Sequence, residues 1–224
     1  MTGCGKTADE TTAKVAGNDA VVTSVADESS DAVAIHTATP APTDAPVFVR
    51  DQSQAKLTVL EGKGEFDPLL GGADIPVGRY VITVDVVIAS NVTGYIGNVL
   101  AINEVMGTVG YSPSNITADI VEGEKIFVNV GSVITFTPAD TVVTTQLTAG
   151  SWIVGTDIPA GKYVCKIDLD GTSMSIMVYS ADLMENIGEY QVGGNSSLPE
   201  VELAFEEGQI IFIERAGTLT CTLK

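Results

Sequence analysis

The chain has 224 residues, which is enough for one or two domains, and 45% of them are hydrophobic, which is enough for a modest core. It carries 29 acidic and 11 basic residues, so its net charge is −18. Such a surface repels nucleic acid and anionic lipid headgroups, because affinity for both depends on basic side chains, and the sequence has no apolar run long enough to span a membrane.

The first residues, Thr2-Gly3-Cys4, resemble the end of a bacterial lipoprotein signal, in which small residues precede a cysteine that is lipidated. The charged and apolar segments that normally come before that cysteine are not in this sequence. Either the chain was trimmed just before the cleavage point, or Met1 is the true start and Cys4 is an ordinary thiol. The first reading predicts an extracellular protein anchored through a lipid on Cys4 to the outer face of the cytoplasmic membrane.

Residues 5–46 are mostly Ala, Thr, Ser, Asp and Val, and they end in a proline-rich stretch. They show neither the 2-residue nor the 3.6-residue apolar period of a strand or helix. This composition cannot bury enough surface to offset the entropy of ordering. We therefore predict that residues 1–46 form the lipobox-like N-terminus and a disordered tether, and that His36, the only histidine, is neither a ligand nor a base.

The rest of the chain is an internal duplication. The stretch Gly72–Val81 returns as Gly155–Val164 with the shared pattern G-x-D-I-P-x-G-x-Y-V, and Glu122–Val128 returns as Glu207–Ile213. Two near-colinear copies indicate two similar folding units. We therefore predict two β-domains, over residues 47–140 and 141–224.

Runs rich in Val, Ile, Tyr, Phe and Thr, most of them bounded by turn residues, predict the strands of each copy. They cover 79–86, 92–102, 116–120, 125–130 and 133–137 in the first copy, and 162–168, 173–180, 201–205, 209–214 and 218–223 in the second. Segments 181–187 and 100–106 are the two places where a helical turn could form. The pattern predicts an all-β protein with two tandem, internally duplicated domains, each a small β-sandwich or jelly-roll-like unit.

The Asp-Ile-Pro-x-Gly motif is typical of a tight turn that leads into a strand, because Pro presets φ, Gly is favoured at the end, and Asp bonds nearby amides. We interpret the repeated motif residues as structural; they are Asp74, Pro76, Gly78, Tyr80, Asp157, Pro159, Gly161 and Tyr163. Phe66 and Trp152 follow matching glycines and are expected to be matched core residues. Tyr95, Tyr111, Tyr179 and Tyr190 have no clear match, and one or two of them are candidates for a sugar-stacking or partner-binding surface.

Cys165 and Cys221 are predicted to be neighbours in space. The repeat aligns them with Ile82 and Phe136, both apolar, and period-two spacing places them on inward strand faces. An extracellular location would permit a disulfide between them. Two separate buried thiols remain the alternative, because the first copy has no such pair.

The sequence shows none of the motifs of common catalytic or cofactor sites: no histidine triad, HExxH, CxxC, P-loop or dinucleotide-binding glycine pattern. We predict no metal and no cofactor. A pair of acidic residues acting as a hydrolase stays open as an alternative, although no pair carries a motif.

The stretch Leu147–Tyr163, with its G-x-D-I-P-x-G-x-Y core, resembles a repeat found in uncharacterised lipoproteins and surface proteins of Gram-positive bacteria, especially Firmicutes. The resemblance covers residues from about 57 to 224. It implies a cell-surface location and an all-β fold, and it implies no catalytic residues. We therefore expect a non-catalytic binding, adhesion or spacer module for a glycan, cell-wall polymer or protein, with a structural subunit that assembles through sheet edges as the rival.

Overall fold

The structure, a computed structural model, describes residues 50–85, 89–107, 112–168, 171–194 and 198–224. These residues contain 16 β-strands and no helix. The all-β prediction is therefore confirmed. The predicted tether, residues 1–46, and the predicted lipid attachment site Cys4 lie outside the described residues.

Each copy of the repeat supplies eight strands. The first copy forms β1 Thr58–Glu61, β2 Leu69–Leu70, β3 Gly78–Asp85, β4 Ser90–Ile96, β5 Val99–Met106, β6 Ile116–Ile120, β7 Lys125–Val128 and β8 Val133–Pro138. The second copy forms β9 Gln146–Leu147, β10 Gly150–Ile153, β11 Gly161–Ile167, β12 Ser173–Tyr179, β13 Asn186–Gly193, β14 Glu200–Phe205, β15 Ile210–Glu214 and β16 Leu219–Leu223.

The strands form one eight-stranded central sheet and two four-stranded outer sheets. The central sheet has the order β1-β8-β3-β6-β10-β15-β12-β13. Outer sheet 1 is β2-β7-β4-β5, and outer sheet 2 is β14-β11-β16-β9. In the first copy the strand orders of the two sheets are 1-8-3-6 and 2-7-4-5, which are those of a jelly roll. The second copy has the same two orders when eight is added to each strand number.

The two copies use their equivalent sheets differently. The first copy gives its 1-8-3-6 sheet to the central sheet, whereas the second copy gives the sheet equivalent to 2-7-4-5. The two halves join where β6 and β10 run parallel, with Gly150 opposite Thr117. The amide of Thr117 also donates to the carbonyl of Ala149 at 2.9 Å. The duplicated chain is thus continuous in hydrogen bonding across the repeat boundary.

Three apolar clusters hold these layers together. One fills the interior of each sandwich, and Tyr80 and Tyr163 are fully buried members of the first and second. The third lies between β5 of the first copy and the second copy's half of the central sheet, and it consists of Ala101, Met177, Ile210 and Phe212. Ile211 and Ile213 belong to the second sandwich, while Ile210 and Phe212 alternate onto the opposite face. The run Ile210–Ile213 is continuously apolar because β15 is covered on both faces.

Four expectations about local structure are wrong. The segment 92–102 is a hairpin, β4 and β5, that turns at Gly97 and Asn98 rather than one strand, and residues 100–106 are strand rather than helix. Residues 181–187 form a turn that enters β13, without a helix. Phe66 is 91% exposed and is not the core counterpart of Trp152. The core counterpart of Trp152 is Leu69, which is buried. Each of the two directly precedes the residue whose amide donates to the motif aspartate: Leu70 to Asp74 in the first copy, and Ile153 to Asp157 in the second.

Candidate functional site at the junction of the repeats

The repeated motif builds the same turn in both copies. The carboxylate of Asp74 accepts from the amide of Leu70 at 2.9 Å, and that of Asp157 accepts from the amide of Ile153 at 2.9 Å. The Tyr80 hydroxyl donates to the carbonyl of Pro76 at 2.8 Å, and the equivalent bond in the second copy, Tyr163 to Pro159, has the same length. The motif residues therefore close the turn with their own side chains, which is what a structural role requires.

The second repeated element, Glu-Gly, packs against the first. The amides of Gly123 and Gly208 each donate at 3.0 Å to the turn, to the carbonyls of Gly71 and Val154. Gly72 and Gly155 have positive φ angles, and a Cβ at either would meet the side chain of Glu122 or Glu207. The turn motif and the Glu-Gly motif are therefore in direct contact in both copies, and the glycine of the turn leaves room for the glutamate side chain.

Asp157 differs from its counterpart Asp74 in what else it binds. Asp74 lies near the ammonium of Lys63, with 3.5 Å between Nζ and Oδ2 and both groups about one-third exposed. Asp157 is fully buried and contacts two arginines of the first half of the chain, Arg50 and Arg79. The aspartate of this turn therefore forms a buried ionic contact with the other repeat in the second copy only.

The guanidinium of Arg50 is completely surrounded by acceptors. Its Nε and Nη2 donate to the two oxygens of Asp119, the Nη2 bond being 2.8 Å. Its Nη1 and Nη2 donate to the two oxygens of Asp157 at 2.9 and 2.6 Å, and Nη1 also donates to the hydroxyl of Thr141 at 2.7 Å. A guanidinium has five N–H groups, and each has an acceptor here. Two bidentate carboxylate pairs of this kind are among the strongest hydrogen-bonded contacts in proteins.

Arg79 completes the cluster from β3. Its Nη1 donates to Asp119 at 2.7 Å and to the carbonyl of Ser151 at 3.2 Å, and its guanidinium carbon lies 4.9 Å from the ring centroid of Trp152. Ser151 also accepts through its hydroxyl from the amide of Asp119 at 3.0 Å. Lys162, at the equivalent place in the second copy, is exposed. Arg79 is buried because the second copy covers it.

The two arginines differ in the direction of their pKa shifts. Burial is the largest influence on Arg50 and acts to lower its pKa, but the hydrogen bonds and charges of Asp119 and Asp157 together outweigh it and hold the pKa above the ordinary value. Burial also dominates for Arg79 and lowers its pKa, opposed by the same two carboxylates. Two carboxylates and two guanidiniums balance in charge, which is the condition for keeping four ions out of water.

Gln52 fixes the segment that carries Arg50. Its amide nitrogen donates to the carbonyls of Arg79 and Ala139, each at 3.1 Å, and its oxygen accepts from the amide of Arg79 at 2.7 Å. A Cβ on Gly78 would lie 2.7 Å from the side chain of Ala55, so the glycine makes room for this segment. Residues 50–56 are thus seated on the start of β3 and the end of β8.

The two cysteines of the second copy face each other. Cys165 on β11 is opposite Cys221 on β16 in the antiparallel register, their Cα atoms are 4.2 Å apart, and a disulfide joins them. Both side chains are buried in the second sandwich. In the chain-entropy model a cross-link that closes 56 residues stabilises the fold by about 4 kcal/mol.

A pair of acidic side chains lies near the third apolar cluster. Glu104 on β5 is 5% exposed and accepts from the amide of Arg215 at 2.6 Å. Burial chiefly, with a further contribution from the charge of Glu214, raises the pKa of Glu104 to about 7. Burial also raises the pKa of Glu214. Glu104 and Glu214 are one candidate for the carboxylate pair that a hydrolase would use.

Two clefts open at the junction. One, of about 520 Å³, lies between the β4–β5 turn and the loop after β12 and is lined by Gly97, Asn98, Asp182, Leu183 and Met184 among others. The other, of about 340 Å³, lies beside Asn115, Thr148 and Gly217. Neither is lined by Glu104 or Glu214.

The unmatched tyrosines are engaged within the fold where the structure describes them. Tyr95 contacts Phe127 edge-on, Tyr179 contacts Phe212 in the same way, and Tyr190 packs on the second sandwich. Tyr111 lies outside the described residues. A sugar-stacking role for these rings stays a prediction.

Within the described ranges, no group of three or more His, Cys, Asp or Glu side chains is placed to hold a metal. The same part of the chain has no helix with the length and hydropathy needed to cross a bilayer. No protein-family model, no curated protein and no solved structure matches the chain.

Sequence reasoning identified the motif residues and the cysteines but missed the ionic cluster. Arg50, Asp119 and Thr141 lie outside the repeated motifs, and their meeting depends on how the two halves join. One signal was present: Asp119 on β6 is acidic, whereas its counterpart on β14, Ala204, is not, although the residues that face them across the strands, Arg79 and Lys162, are both basic.

Proposed function

We propose that the protein is a non-catalytic, extracellular cell-surface module, tethered through a lipid on Cys4, that binds or spaces a glycan, cell-wall polymer or protein. The observation that carries the proposal is that the repeated motif residues are committed to the fold. Asp74, Asp157, Tyr80 and Tyr163 all bond backbone groups of their own turn, so the repeated residues have a structural role. The Firmicutes resemblance and the tether-like composition of residues 5–46 support the location.

The larger cleft is the binding surface we favour. Asn98 offers an amide at its rim, and Met184 is 84% exposed beside it. An exposed apolar side chain next to polar groups in a concavity suits a sugar or a peptide. Asp182 is engaged by Ser180 and the amide of Met184 and shapes the loop.

A binding assay with isolated cell-wall fractions and a glycan array tests the proposal. The double variant N98A/M184A is expected to lose binding, whereas Val130→Ala, at a 76% exposed valine that does not line the cleft, is expected to keep it. Binding that is absent from the unaltered chain, or equal in both variants, would remove the cleft as the site. Mass spectrometry of native protein extracted from membranes tests the anchor, and an unmodified Cys4 would contradict it.

Assembly through sheet edges is a second candidate, favoured by one observation. β13 is an eight-residue edge of the central sheet, bonded on one side to β12, with Ile187 46% exposed. Open edges of that length offer hydrogen-bonding groups to another chain. A Glu189→Pro variant, at a position in the middle of this strand, is expected to abolish any concentration-dependent assembly seen by light scattering. A chain that stays monomeric at all concentrations would exclude this candidate.

A further inference from the structure

We propose that Asp119, Asp157 and Thr141 form a binding site for an alkylguanidinium group, that Arg50 is its built-in ligand, and that the site accepts an external guanidinium once the Arg50 side chain is removed. The inference does not depend on the proposed function. It assigns a ligand class to a buried polar site that spans both repeats.

The acceptors fit a guanidinium and not an ammonium. Four carboxylate oxygens and one hydroxyl receive five N–H groups, and both carboxylates bind in the two-pronged manner that needs a planar fork. An ammonium has three donors in a tetrahedral arrangement. With three tetrahedral donors it cannot replace the five bonds that Arg50 makes, and it cannot pair in the two-pronged manner with both carboxylates at once.

Charge also requires a cation in this place. Without Arg50, the carboxylates of Asp119 and Asp157 would share the single positive charge of Arg79. Their side chains are 3% and 0% exposed, so the uncompensated negative charge would be buried. Removing one partner of a buried ionic group is far more damaging than replacing the whole group by apolar side chains.

The site should survive the loss of the arginine side chain. Asp157 is held by the amide of Ile153, and Arg79 holds Asp119, so neither carboxylate depends on Arg50 for its position. The segment after Arg50 is held independently by Gln52 and by the amide of Lys56, which donates to the Tyr80 hydroxyl at 3.4 Å. Truncation of Arg50 to alanine therefore leaves a cavity with its acceptors in place.

The test uses the full chain with Arg50→Ala and N-ethylguanidinium, which restores the atoms that the substitution removes beyond Cβ. The variant is expected to lower the Tm by about 6–20 °C. Millimolar N-ethylguanidinium is expected to raise the Tm of the variant saturably and to leave the unaltered chain, whose site is filled, nearly unchanged. Ethylammonium, with the same charge and alkyl group, is expected to give a much smaller rise.

Two further variants sharpen the result. Lys63→Ala removes the cation beside Asp74, the exposed counterpart of Asp157, and is expected to change the Tm little and to show no response to either cation. Adding Thr141→Val to Arg50→Ala removes one acceptor at the rim and is expected to weaken N-ethylguanidinium binding roughly two- to tenfold.

Several outcomes would overturn the proposal. They are an Arg50→Ala chain as stable as the original, equal responses of that chain to the two cations, and equal responses of the variant and the original to N-ethylguanidinium. If Arg50→Ala does not fold alone, its refolding yield is measured with each cation, and Arg50→Lys is compared with the original. The proposal would also be overturned if the refolding yield with N-ethylguanidinium were no higher than the yield with ethylammonium. The same holds if the Tm of Arg50→Lys equalled that of the original chain.

Discussion

Glu124 is a carboxylic acid in a position that the second copy gives to an amide. Its Oε2 accepts from the amide of Val121 at 3.1 Å, and Gln209 makes the equivalent bond to Glu206 at 2.9 Å. Glu124 is 1% exposed, and its Oε1 has no hydrogen-bond partner among the described residues. Burial raises its pKa to about 8, so at neutral pH the side chain is mostly protonated and resembles glutamine in charge.

This pKa predicts that Glu124 makes the stability of the fold fall as the pH rises from about 4.5 to about 8. The folded state keeps the proton up to about pH 8, whereas the unfolded chain loses it near pH 4.5. Stability from this group is therefore fully present below pH 4.5 and is lost as the pH rises to about 8. The loss is at most about 5 kcal/mol.

The variant Glu124→Gln is expected to remove that pH dependence. It should match the original chain in unfolding free energy near pH 5 and exceed it by a few kcal/mol near pH 9, as measured by urea unfolding. Glu65→Gln, at an exposed acid of the first copy, is the control and should follow the original chain at both values. A stability difference between Glu124→Gln and the original that stays constant from pH 5 to 9 would show that Glu124 does not titrate in this range.

Residue types predicted local geometry better than they predicted the junction site. Asp, Pro and Gly at fixed spacing specify a turn by their own conformational preferences, so their arrangement could be read from ten residues. Arg50 meets Asp119 and Asp157 across separations of 69 and 107 residues. No local preference encodes such a contact, and a lone arginine near a predicted tether is normally expected to be a solvated charge.

At the scale of elements, the joint between β6 and β10 depends on a single glycine. Gly150 has φ +129, and a Cβ there would lie 1.8 Å from the carbonyl oxygen of Thr117. Backbone on the facing strand cannot move aside as a flexible side chain does. The close approach that continues the central sheet from one copy to the other therefore requires glycine.

Gly150→Ala is expected to destabilise the fold more than a glycine substitution that carries backbone strain alone. Gly131→Ala is the matched control, because Gly131 has φ +82 and no atom within 4 Å of its added Cβ. We expect a loss of about 1–2 kcal/mol for the control and about 3–5 kcal/mol for Gly150→Ala, from urea unfolding. Equal losses of unfolding free energy in the two variants would mean that β6 and β10 can move apart far enough to accommodate a methyl group.

The elements that sequence reasoning found are the long, periodic ones. β3, β6, β7, β8 and most strands of the second copy were predicted within one or two residues. The six that it missed as separate elements or altogether are β1, β2, β5, β9, β10 and β13, of which all but β5 and β13 have two to four residues. β2 and β9 pair over two residues only, which is too short for an alternating pattern to show. The β4–β5 hairpin was read as one strand because its turn, Gly97-Asn98, sits inside an apolar run.

At the scale of the molecule, the two copies are joined by three kinds of contact. The central sheet continues through β6 and β10, the Arg50 cluster joins Asp119 to Asp157, and the third apolar cluster packs β5 on β15. Two repeats connected only by a flexible linker would unfold independently, whereas these contacts couple them. We therefore expect a single unfolding transition by calorimetry, with equal calorimetric and van't Hoff enthalpies. Two resolved transitions would contradict the coupling.

Neighbouring residues on β15 allow that coupling to be tested separately from stability. Phe212 is 1% exposed and packs in the cluster that β5 completes, whereas Ile211 is fully buried in the second sandwich. Both Phe212→Ala and Ile211→Ala should cost about 2–5 kcal/mol, because each leaves a cavity. Only Phe212→Ala removes a contact with the first copy. In Phe212→Ala, amide hydrogen exchange in β5 should therefore accelerate by more than the loss of global stability accounts for. In Ile211→Ala, exchange in β5 should accelerate only in proportion to the loss of global stability. If β5 exchanges alike in the two variants after this scaling, Phe212 does not couple the repeats, and the sheet joint and the arginine cluster must carry the coupling alone.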